Sequence, residues 1–224
     1  MTVLAPRGAY RLWSETYEAE NAVSWLEQQL VAELGPPPAG LRLLDVGCGT
    51  GRRLVGAGAR HAVGIDLSAD MLAVGRRNPR LRDVELIEGD VCALPIPERA
   101  FDLIWCRLVL GHVADLGGAY RELARVTAAG GRVVITDFHP AAWAAGHRRS
   151  FRHAGEVHEV VHFPRTAGEH ADAAQRAGLH LTRQGEQLIG PEVREFYREG
   201  ERDELYADHL GLPVVLGLAF VRDG

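Results

Sequence analysis

The residues with the clearest chemical potential form a glycine-rich segment from Asp45 to Gly51, with the sequence Asp-Val-Gly-Cys-Gly-Thr-Gly. It follows the apolar stretch 41–46, so we expect it to turn the chain from a strand into a helix. Glycine lets a backbone turn tightly and approach a ligand closely, and a helix N-terminus presents unpaired N–H groups to an anion. Asp45 adds a carboxylate that can accept hydrogen bonds from an ammonium group. These features predict a site for a ligand that contains an amino acid.

Two later carboxylates extend this predicted site. Asp66 closes the predicted strand 62–66, 19 residues after the first glycine of the segment, and can accept hydrogen bonds from both hydroxyls of a ribose. Asp90 follows the predicted strand 84–88 and can accept from an adenine amino group, while the N–H of Val91 can donate to the ring. Ligands of open α/β sheets bind outside the carboxyl ends of the strands, so we expect these groups to meet in one cleft.

Two other nucleotide sites fit the sequence less well. The dinucleotide pattern G-x-G-x-x-G needs a glycine where Arg52 stands, and an NAD site leaves no role for Asp45. A P-loop needs a lysine, and all 25 basic residues of this chain are arginines. The glycine spacing therefore favours a ligand with an amino-acid part over a dinucleotide.

The elements that must position these residues alternate along the chain. A helix over 14–34, begun by Ser14, precedes them. The predicted strands are 41–46, 62–66, 84–88, 101–106 and 132–137, and the predicted helices between them run from the glycine segment to about Arg60, over 68–77 and over 116–128. Short apolar strands that alternate with helices predict an α/β fold with a mostly parallel sheet covered on both faces.

The last third of the chain is less regular. We expect a helix over 166–177, a strand over 179–189, a charged helix over 191–209 and a closing strand over 213–222. Residues 138–164 have little regular periodicity and carry many histidines and aromatic residues, so we interpret them as a lid over a ligand pocket. No linker divides the sequence, which favours one domain over 1–224 with an N-terminal helical cap over 1–40.

The segment His158-Glu-Val-Val-His162 matches H-E-x-x-H, a zinc-peptidase motif that works only on a helix. Three valines lie at positions 157, 160 and 161, and Pro164 follows, which favours a strand or an extended loop. In that conformation the two histidines are too far apart to chelate one ion. A zinc hydrolase therefore stays open only as a minor alternative.

Composition excludes several other classes of protein. The formal net charge is −5 and no run of five basic residues occurs, which argues against a nucleic-acid partner. No apolar run has the length of a membrane span, and no signal peptide is recognisable at the start. The three cysteines form no C-x-x-C pair, so neither a zinc ribbon nor a disulfide framework is indicated, and we expect a cytoplasmic protein.

Taken in order, these motifs resemble those of the class I S-adenosylmethionine (SAM)-dependent methyltransferases, in particular the small-molecule group that includes the ubiquinone- and menaquinone-biosynthesis type. The first two family motifs are matched by LLDVGCGTG and AVGIDLS, the third and fourth by EGDVCALPIPERAFDLIWC, and the fifth by GGRVVITDF. The N-terminal pattern Tyr10-x-x-Trp13-x-x-x-Tyr17 resembles an entry segment whose tyrosine lies over the methionine end of SAM. The resemblance covers most of the chain.

This resemblance implies a Rossmann-like sheet of seven strands, with the last strand antiparallel, and SAM as the cofactor. The cofactor contacts that it implies are Tyr17, Asp45, Gly47, Cys48, Gly49, Asp66, Leu67, Met71, Asp90, Val91 and Arg107. Relatives often carry a small or polar residue at the position of Arg107, so an arginine there is a departure. A protein that binds SAM without catalysing transfer is not excluded by any of these motifs.

The acceptor is a small molecule whose methylated atom the motifs do not identify. Histidines and aromatic residues in 138–164 suit an aromatic or heteroaromatic acceptor, and an irregular surface cover is an equally open interpretation. His112 and His139 follow the fourth and fifth strands and are the candidate general bases, with a structural role as the alternative for each. A methyltransferase assisted by a metal held in the histidine-rich part, 139–162, also stays open, and the oligomeric state is not predicted.

Overall fold

Residues 2–200 and 203–223 are described by a computed structural model. Within these ranges the chain forms ten strands and eight α-helices. The strands are β1 Thr2–Leu4, β2 Arg42–Val46, β3 His61–Asp66, β4 Glu85–Glu88, β5 Phe101–Arg107, β6 Thr127–Phe138, β7 Ser150–His153, β8 Glu156–Val160, β9 Leu179–Leu188 and β10 Pro213–Arg222. The helices are α1 Pro6–Trp13, α2 Ala22–Leu34, α3 Ala69–Arg76, α4 Leu116–Val126, α5 Pro140–Ala144, α6 Ala167–Arg176, α7 Arg194–Glu199 and α8 Asp203–His209.

Seven strands form the main sheet, in the order β4-β3-β2-β5-β6-β10-β9. β10 runs antiparallel to both of its neighbours, and the other strand pairs are parallel. The central strands are apolar because both of their faces are covered; Leu43 and Leu44 of β2, for example, have no exposed surface. The predicted α/β architecture with an antiparallel last strand is confirmed.

Helices cover the sheet on both faces. On one face Leu26, Leu30 and Leu34 of α2 are buried, and a Cβ on Gly217 of β10 would lie only 2.6 Å from the side chains of Leu30 and Leu34. On the other face α4 and α6 pack through residues such as Tyr120, which is fully buried. The apolar core therefore has two layers, and the helix that precedes the glycine segment belongs to one of them.

The N-terminal segment differs from the prediction of one helix over 14–34. Ser14 donates its hydroxyl to the carbonyl of Arg11 at 3.0 Å, so it closes α1 instead of opening a helix. α2 begins after Asn21, whose side chain accepts from the backbone of Ser24 at 3.1 Å while the Ser24 hydroxyl accepts from Asn21 N at 3.0 Å. This capping box fixes the helix start eight residues later than predicted.

Two other predicted helices are also wrong in extent. After the glycine segment the chain makes one 3-10 turn, Arg52–Leu54, because Gly56 and Gly58 follow with φ of 70° and 72°. The charged stretch 191–209 forms a 3-10 turn, Pro191–Val193, followed by α7 and α8. Residues 201 and 202 of that stretch lie outside the described residues.

The segment 138–164 is more regular than its sequence suggests. It contains α5 and the hairpin of β7 and β8, and β8 pairs in parallel with β1 at the start of the chain. Trp13 at the end of α1 stacks on Phe151 of β7, with ring centroids 4.9 Å apart. Because β1 and β8 are far apart in sequence, their pairing produces no local periodicity in the sequence, and the sequence did not predict it. Among residues 2–200 and 203–223, no helix is both long and apolar enough to cross a membrane.

A glycine substitution tests how tightly α3 packs on the glycine segment. A Cβ on Gly75 would lie 2.2 Å from the carbonyl oxygen of Thr50, so the helix must shift to accept Gly75→Ala. We expect a loss of about 1–3 kcal/mol in the free energy of unfolding, measured by urea denaturation. Gly8→Ala in α1 is the control, because a Cβ there meets no atom within 4 Å; this variant should be roughly 0.5–1 kcal/mol more stable. Equal stability of the two variants would contradict the packing argument.

Candidate active site

The glycine segment forms a tight turn that joins the ends of β2 and β3. Gly47 and Gly49 have φ of 74° and 60°, a left-handed conformation that other residues rarely adopt. The N–H groups of Gly47 and Cys48 both donate to the carbonyl of Ile65, at 2.7 and 2.9 Å. A Cβ on Gly47 would lie 2.2 Å from the side chain of Val109, so a larger residue would fill the space beside the turn. The turn therefore presents bare backbone to a cleft.

Asp66 at the end of β3 is held by the same turn. Its Oδ2 accepts from the N–H of Gly49 at 2.7 Å, and its Oδ1 accepts from the N–H of Ser68 at 2.8 Å. Burial raises the pKa of Asp66, and these two hydrogen bonds oppose the effect. Since a carboxylate oxygen can accept more than one hydrogen bond, Asp66 is fixed in place with acceptor capacity left for a ligand.

A cleft of about 320 Å³ opens at this edge of the sheet. Nine of the eleven predicted cofactor contacts line it, together with His112: Tyr17, Gly47, Gly49, Asp66, Leu67, Met71, Asp90, Val91 and Arg107. Asp45 and Cys48 line a second cleft of about 180 Å³. The two clefts share Tyr17, Gly47, Arg107 and Leu108, so they are neighbouring parts of one site.

Asp45 has an unusual environment. The residue is 2% exposed, and its Oδ1 has no hydrogen-bond partner among the described residues. Burial raises its pKa to about 7, although the nearby Arg107 lowers it. A buried acceptor without a donor is costly, so the position is suited to a cationic group supplied from outside. The neighbouring thiol of Cys48 packs over Gly64 of β3, where a Cβ would lie 2.7 Å from its sulfur.

The far end of the first cleft has an apolar wall and a polar rim. Met71 of α3 is 1% exposed and lines the wall with Leu67. Asp90 is exposed, and its Oδ1 accepts from the N–H of Cys92 at 2.8 Å. Val91, the next residue in the chain, is buried. An apolar slot with one carboxylate at its edge is suited to a flat heterocycle that carries an amino group.

Arg107 is fixed by a residue that the sequence analysis did not identify. Glu27 of α2 forms two hydrogen bonds with the Arg107 guanidinium, at 2.8 and 2.5 Å, and Thr136 donates to Glu27 at 2.9 Å. The side chains of Arg107 and Glu27 are only 8% and 3% exposed. Glu27 lies on a helix whose other buried residues are mostly apolar, and no basic partner lies nearby in sequence to indicate its role. The pair attaches α2 to the end of β5.

His112 stands at the cleft with both ring nitrogens occupied. Its Nδ1 lies 2.7 Å from the carbonyl of Val161, so Nδ1 carries the proton and donates. Its Nε2 lies 3.1 Å from the hydroxyl of Tyr10 and can accept from it. Burial lowers the pKa of His112 to about 4, so the ring is neutral near pH 7.

The second histidine, His139, is not brought together with these residues. It is the N-cap of α5, where its Nδ1 accepts from the N–H of Ala141 at 3.1 Å. Its Nε2 lies 3.3 Å from a carboxylate oxygen of Glu186 on β9. His139 does not line either of the two clefts described above. Its contacts are thus with the backbone of α5 and with a carboxylate of β9, at the start of the segment 138–164.

The histidine-rich segment does not form a chelating cluster. His158 lies in β8, so the H-E-x-x-H segment begins as a strand, as its valines predicted. The ring of His162 stacks on Trp143, with centroids 5.2 Å apart, and neither of its nitrogens has a hydrogen-bond partner in the described part of the chain. Across residues 2–200 and 203–223, no group of three or more His, Cys, Asp or Glu side chains is arranged to hold a metal ion.

Comparison with known proteins finds methyltransferases among the similar sequences. A family model described as a methyltransferase domain matches residues 44–135. The demethylmenaquinone methyltransferase of Thermus thermophilus is 34% identical over 146 residues, which are 61% of this chain and 63% of that protein. The 27-O-demethylrifamycin SV methyltransferase of Amycolatopsis mediterranei is 31% identical over 174 residues, 74% of this chain and 63% of that protein. The chain thus spans less than two thirds of the length of these curated relatives.

A solved structure resembles nearly the whole chain. The crystal structure of an S-adenosylmethionine-dependent methyltransferase from Mesorhizobium loti superimposes with a TM-score of 0.71 at 26% sequence identity. The superposition covers 88% of this chain and 98% of that one. These comparisons confirm the family resemblance that the ordered sequence motifs predicted.

The ion pair of Glu27 and Arg107 can be tested by removing one partner. Glu27→Ala leaves a buried guanidinium without its carboxylate, so we expect a loss of roughly 3–5 kcal/mol in the free energy of unfolding. Replacing both residues, by Glu27→Leu with Arg107→Met, should recover most of that loss. Glu88→Ala, which removes an exposed ion pair with Arg7, is the control and should cost about 0–1 kcal/mol. A Glu27→Ala variant as stable as this control would refute the assignment.

The neutral state of His112 predicts a dependence of stability on pH. In the unfolded chain a histidine gains its proton near about pH 6.5, whereas in the folded chain the pKa of His112 is about 4. Because the pKa is lower in the folded chain, the contribution of the neutral ring to the free energy of unfolding is complete above the pKa of the unfolded chain. This contribution is lost as the pH falls through the pKa of the folded chain. Urea denaturation at a series of pH values should show that the free energy of unfolding falls less at acid pH for His112→Gln than for the native chain. An NMR titration of the ring with an ordinary midpoint would contradict this account.

Proposed function

We propose that this chain, which belongs to the class I SAM-dependent methyltransferases, transfers the methyl group of SAM to a small-molecule acceptor by direct displacement and releases S-adenosylhomocysteine. The observation that carries this proposal is the buried Oδ1 of Asp45, which lacks a hydrogen-bond donor beside a glycine turn. SAM brings an ammonium group in its methionyl part, which is the group that this oxygen needs. When bound, SAM supplies a methyl group on a positively charged sulfur, and that chemistry requires alignment and exclusion of water.

The remaining parts of the site fit the other parts of the cofactor. Asp66, fixed by Gly49 and Ser68, has acceptor capacity for the ribose hydroxyls. Met71 and Leu67 line the apolar slot that suits an adenine ring, with Asp90 and Val91 at its edge. In this proposal Asp45, Asp66 and Asp90 bind three different chemical groups of one molecule.

Tyr17 and Arg107 stand where the two clefts meet, beside the turn that is assigned to the methionyl part. A Cβ on Gly49 would lie 3.3 Å from the ring of Tyr17, so this ring covers the glycine turn closely. Arg107 is neutralised by Glu27 and therefore adds little net charge to the site. We assign to both residues the positioning of the cofactor and the exclusion of water.

The acceptor would enter through a third cleft of about 480 Å³, which shares Trp13, Glu20, Asn21 and Arg149 with the second. Its aromatic lining comes from the N-terminal segment, the end of β6 and α7, namely Trp13, Phe138, Phe196 and Tyr197. Such a lining favours an aromatic acceptor, as does the likeness to a demethylmenaquinone methyltransferase.

Of the two candidate general bases, His112 lines the cleft that is assigned to the cofactor. With a pKa of about 4 and its Nε2 facing Tyr10, it is a weak base that can accept a hydrogen bond rather than remove a proton from a weak acid. The proposal therefore gives it an orienting role and needs an acceptor that reaches the site ionised or readily ionised. His139 has no part in it.

The proposal is tested by incubating the purified protein with SAM and a panel of hydroxylated aromatic compounds, with S-adenosylhomocysteine and methylated products detected by mass spectrometry. Formation of both products in equal amounts supports it. Failure of the protein to bind S-adenosylhomocysteine in a calorimetric titration would contradict the assignment of SAM as the cofactor, whichever acceptor is used.

The ribose contact gives a prediction about binding. Asp66→Ala should weaken S-adenosylhomocysteine binding by roughly 1.5–3 kcal/mol, the usual loss for hydrogen bonds to a charged group. Asp70→Ala is the matched control, since Asp70 lies four residues later on the exposed face of α3 and does not line the cleft. Calorimetry should show a weakened affinity for S-adenosylhomocysteine in Asp66→Ala and an unchanged affinity in Asp70→Ala. Equal affinities would mean that Asp66 does not contact the ligand.

A further inference from the structure

Arg149 is a shielded cation at the junction of the second and third clefts, both of which it lines. It directly precedes β7, and its Nε is screened from solvent and has no hydrogen-bond partner among the residues that the structure describes. Its guanidinium packs 4.6 Å from the ring centre of Trp13 and 5.8 Å from that of Phe138. These contacts hold the charged group between two aromatic rings.

The polar neighbours of Arg149 do not neutralise it. They include the phenols of Tyr10 and Tyr17. Burial raises the pKa of Tyr10 to about 12 despite the opposing effect of Arg149, so this phenol keeps its proton. A neutral hydroxyl can accept a hydrogen bond but adds no negative charge.

Other arginines around the clefts have acidic partners. Arg107 pairs with Glu27 at 2.5 Å, Arg53 with Glu20 at 2.9 Å, and Arg148, the immediate neighbour, with Glu159 at 3.7 Å. Within residues 2–200 and 203–223, no Asp or Glu side chain lies within ion-pair distance of Arg149. Arg149 is half-buried with its Nε screened from solvent, and a charge in such a position without a counter-charge is costly, so the site is complementary to an anion that comes from outside the chain.

We propose that Arg149 binds an acidic oxygen of the methyl acceptor, a carboxylate or an ionised hydroxyl, and so restricts the substrates to acidic aromatic compounds. This inference rests on the proposed function. The aromatic rings on either side of the guanidinium supply the apolar contacts for the acceptor's ring, and the phenol of Tyr17 can donate to the same anion, whereas the hydroxyl of Tyr10 donates to His112. This hydrogen bond of Tyr10 is to Nε2 of His112, and His112 lines the cofactor cleft, so the anion site and the cofactor cleft are adjacent.

The test uses a pair of probes that differ in charge and hardly in shape, 1-naphthoate and 1-naphthamide. Each is titrated by calorimetry into the full chain saturated with S-adenosylhomocysteine. We expect the native protein to bind 1-naphthoate about tenfold or more tightly than 1-naphthamide, as a charge-assisted hydrogen bond implies. Absence of this preference in the native protein overturns the proposal without the need for any variant.

Variants assign the preference to one residue. Arg149→Met should abolish the preference for the carboxylate, and Arg149→Lys, which keeps the charge, should retain part of it. Arg152→Met is the matched control, because Arg152 lies in the same segment but is exposed and lines none of the clefts. A preference that survives Arg149→Met would overturn the assignment.

A carboxylate is also present in the methionyl part of the cofactor, and a second comparison separates the two sources. Arg149→Met should leave the affinity for S-adenosylhomocysteine within a factor of about three. If that affinity falls by about tenfold while the affinity for 5′-methylthioadenosine, which lacks the amino-acid part, is unchanged, Arg149 serves the cofactor and the proposal fails. If the native protein does not bind S-adenosylhomocysteine, the proposed function fails and this inference fails with it.

Discussion

The rest of the site depends on the hydrogen bonds that join the glycine turn after β2 to the end of β3. The N–H groups of Gly47 and Cys48 converge on the carbonyl of Ile65, and the N–H of Gly49 holds the carboxylate of Asp66. This arrangement needs left-handed backbone at two glycines and leaves no room for a Cβ on Gly47. One turn therefore sets the shape of the cleft floor, the position of Asp66 and the distance at which α3 packs.

A second constraint attaches the N-terminal segment to this floor. Glu27 reaches from α2 to Arg107 at the end of β5, and Leu30 and Leu34 of the same helix fill the space over Gly217. Because α2 is anchored by charge at one end and by close packing at the other, the preceding loop can carry Tyr17 over the glycine turn. The ion pair thus acts on the cleft indirectly, through the element that covers it.

The acceptor side is built from pieces that are far apart in sequence. β1 pairs with β8, and Trp13 stacks on Phe151, so the N-terminal segment and the segment after β6 pack against each other. Arg149 leads into β7 and is held against Trp13 by this arrangement, next to Tyr10 and its partner His112. In our proposal the charge of this arginine, unpaired within the described chain, decides which acceptors bind, while the three aspartates of the other cleft select the cofactor.

The sequence by itself determined the central strands in their succession along the chain, the glycine turn and nine of the residues that line the cleft, because each depends on local patterns that repeat at the ends of successive strands. It did not predict the capping box at Asn21, which splits the expected first helix, since Ser14 is an equally good cap by residue type. Only the tertiary structure decided that Glu27 neutralises Arg107, that His139 caps α5 away from the cleft, and that Arg149 lacks a carboxylate. Pairing of charges and strands across the fold depends on distances in space, and a one-dimensional pattern does not contain them.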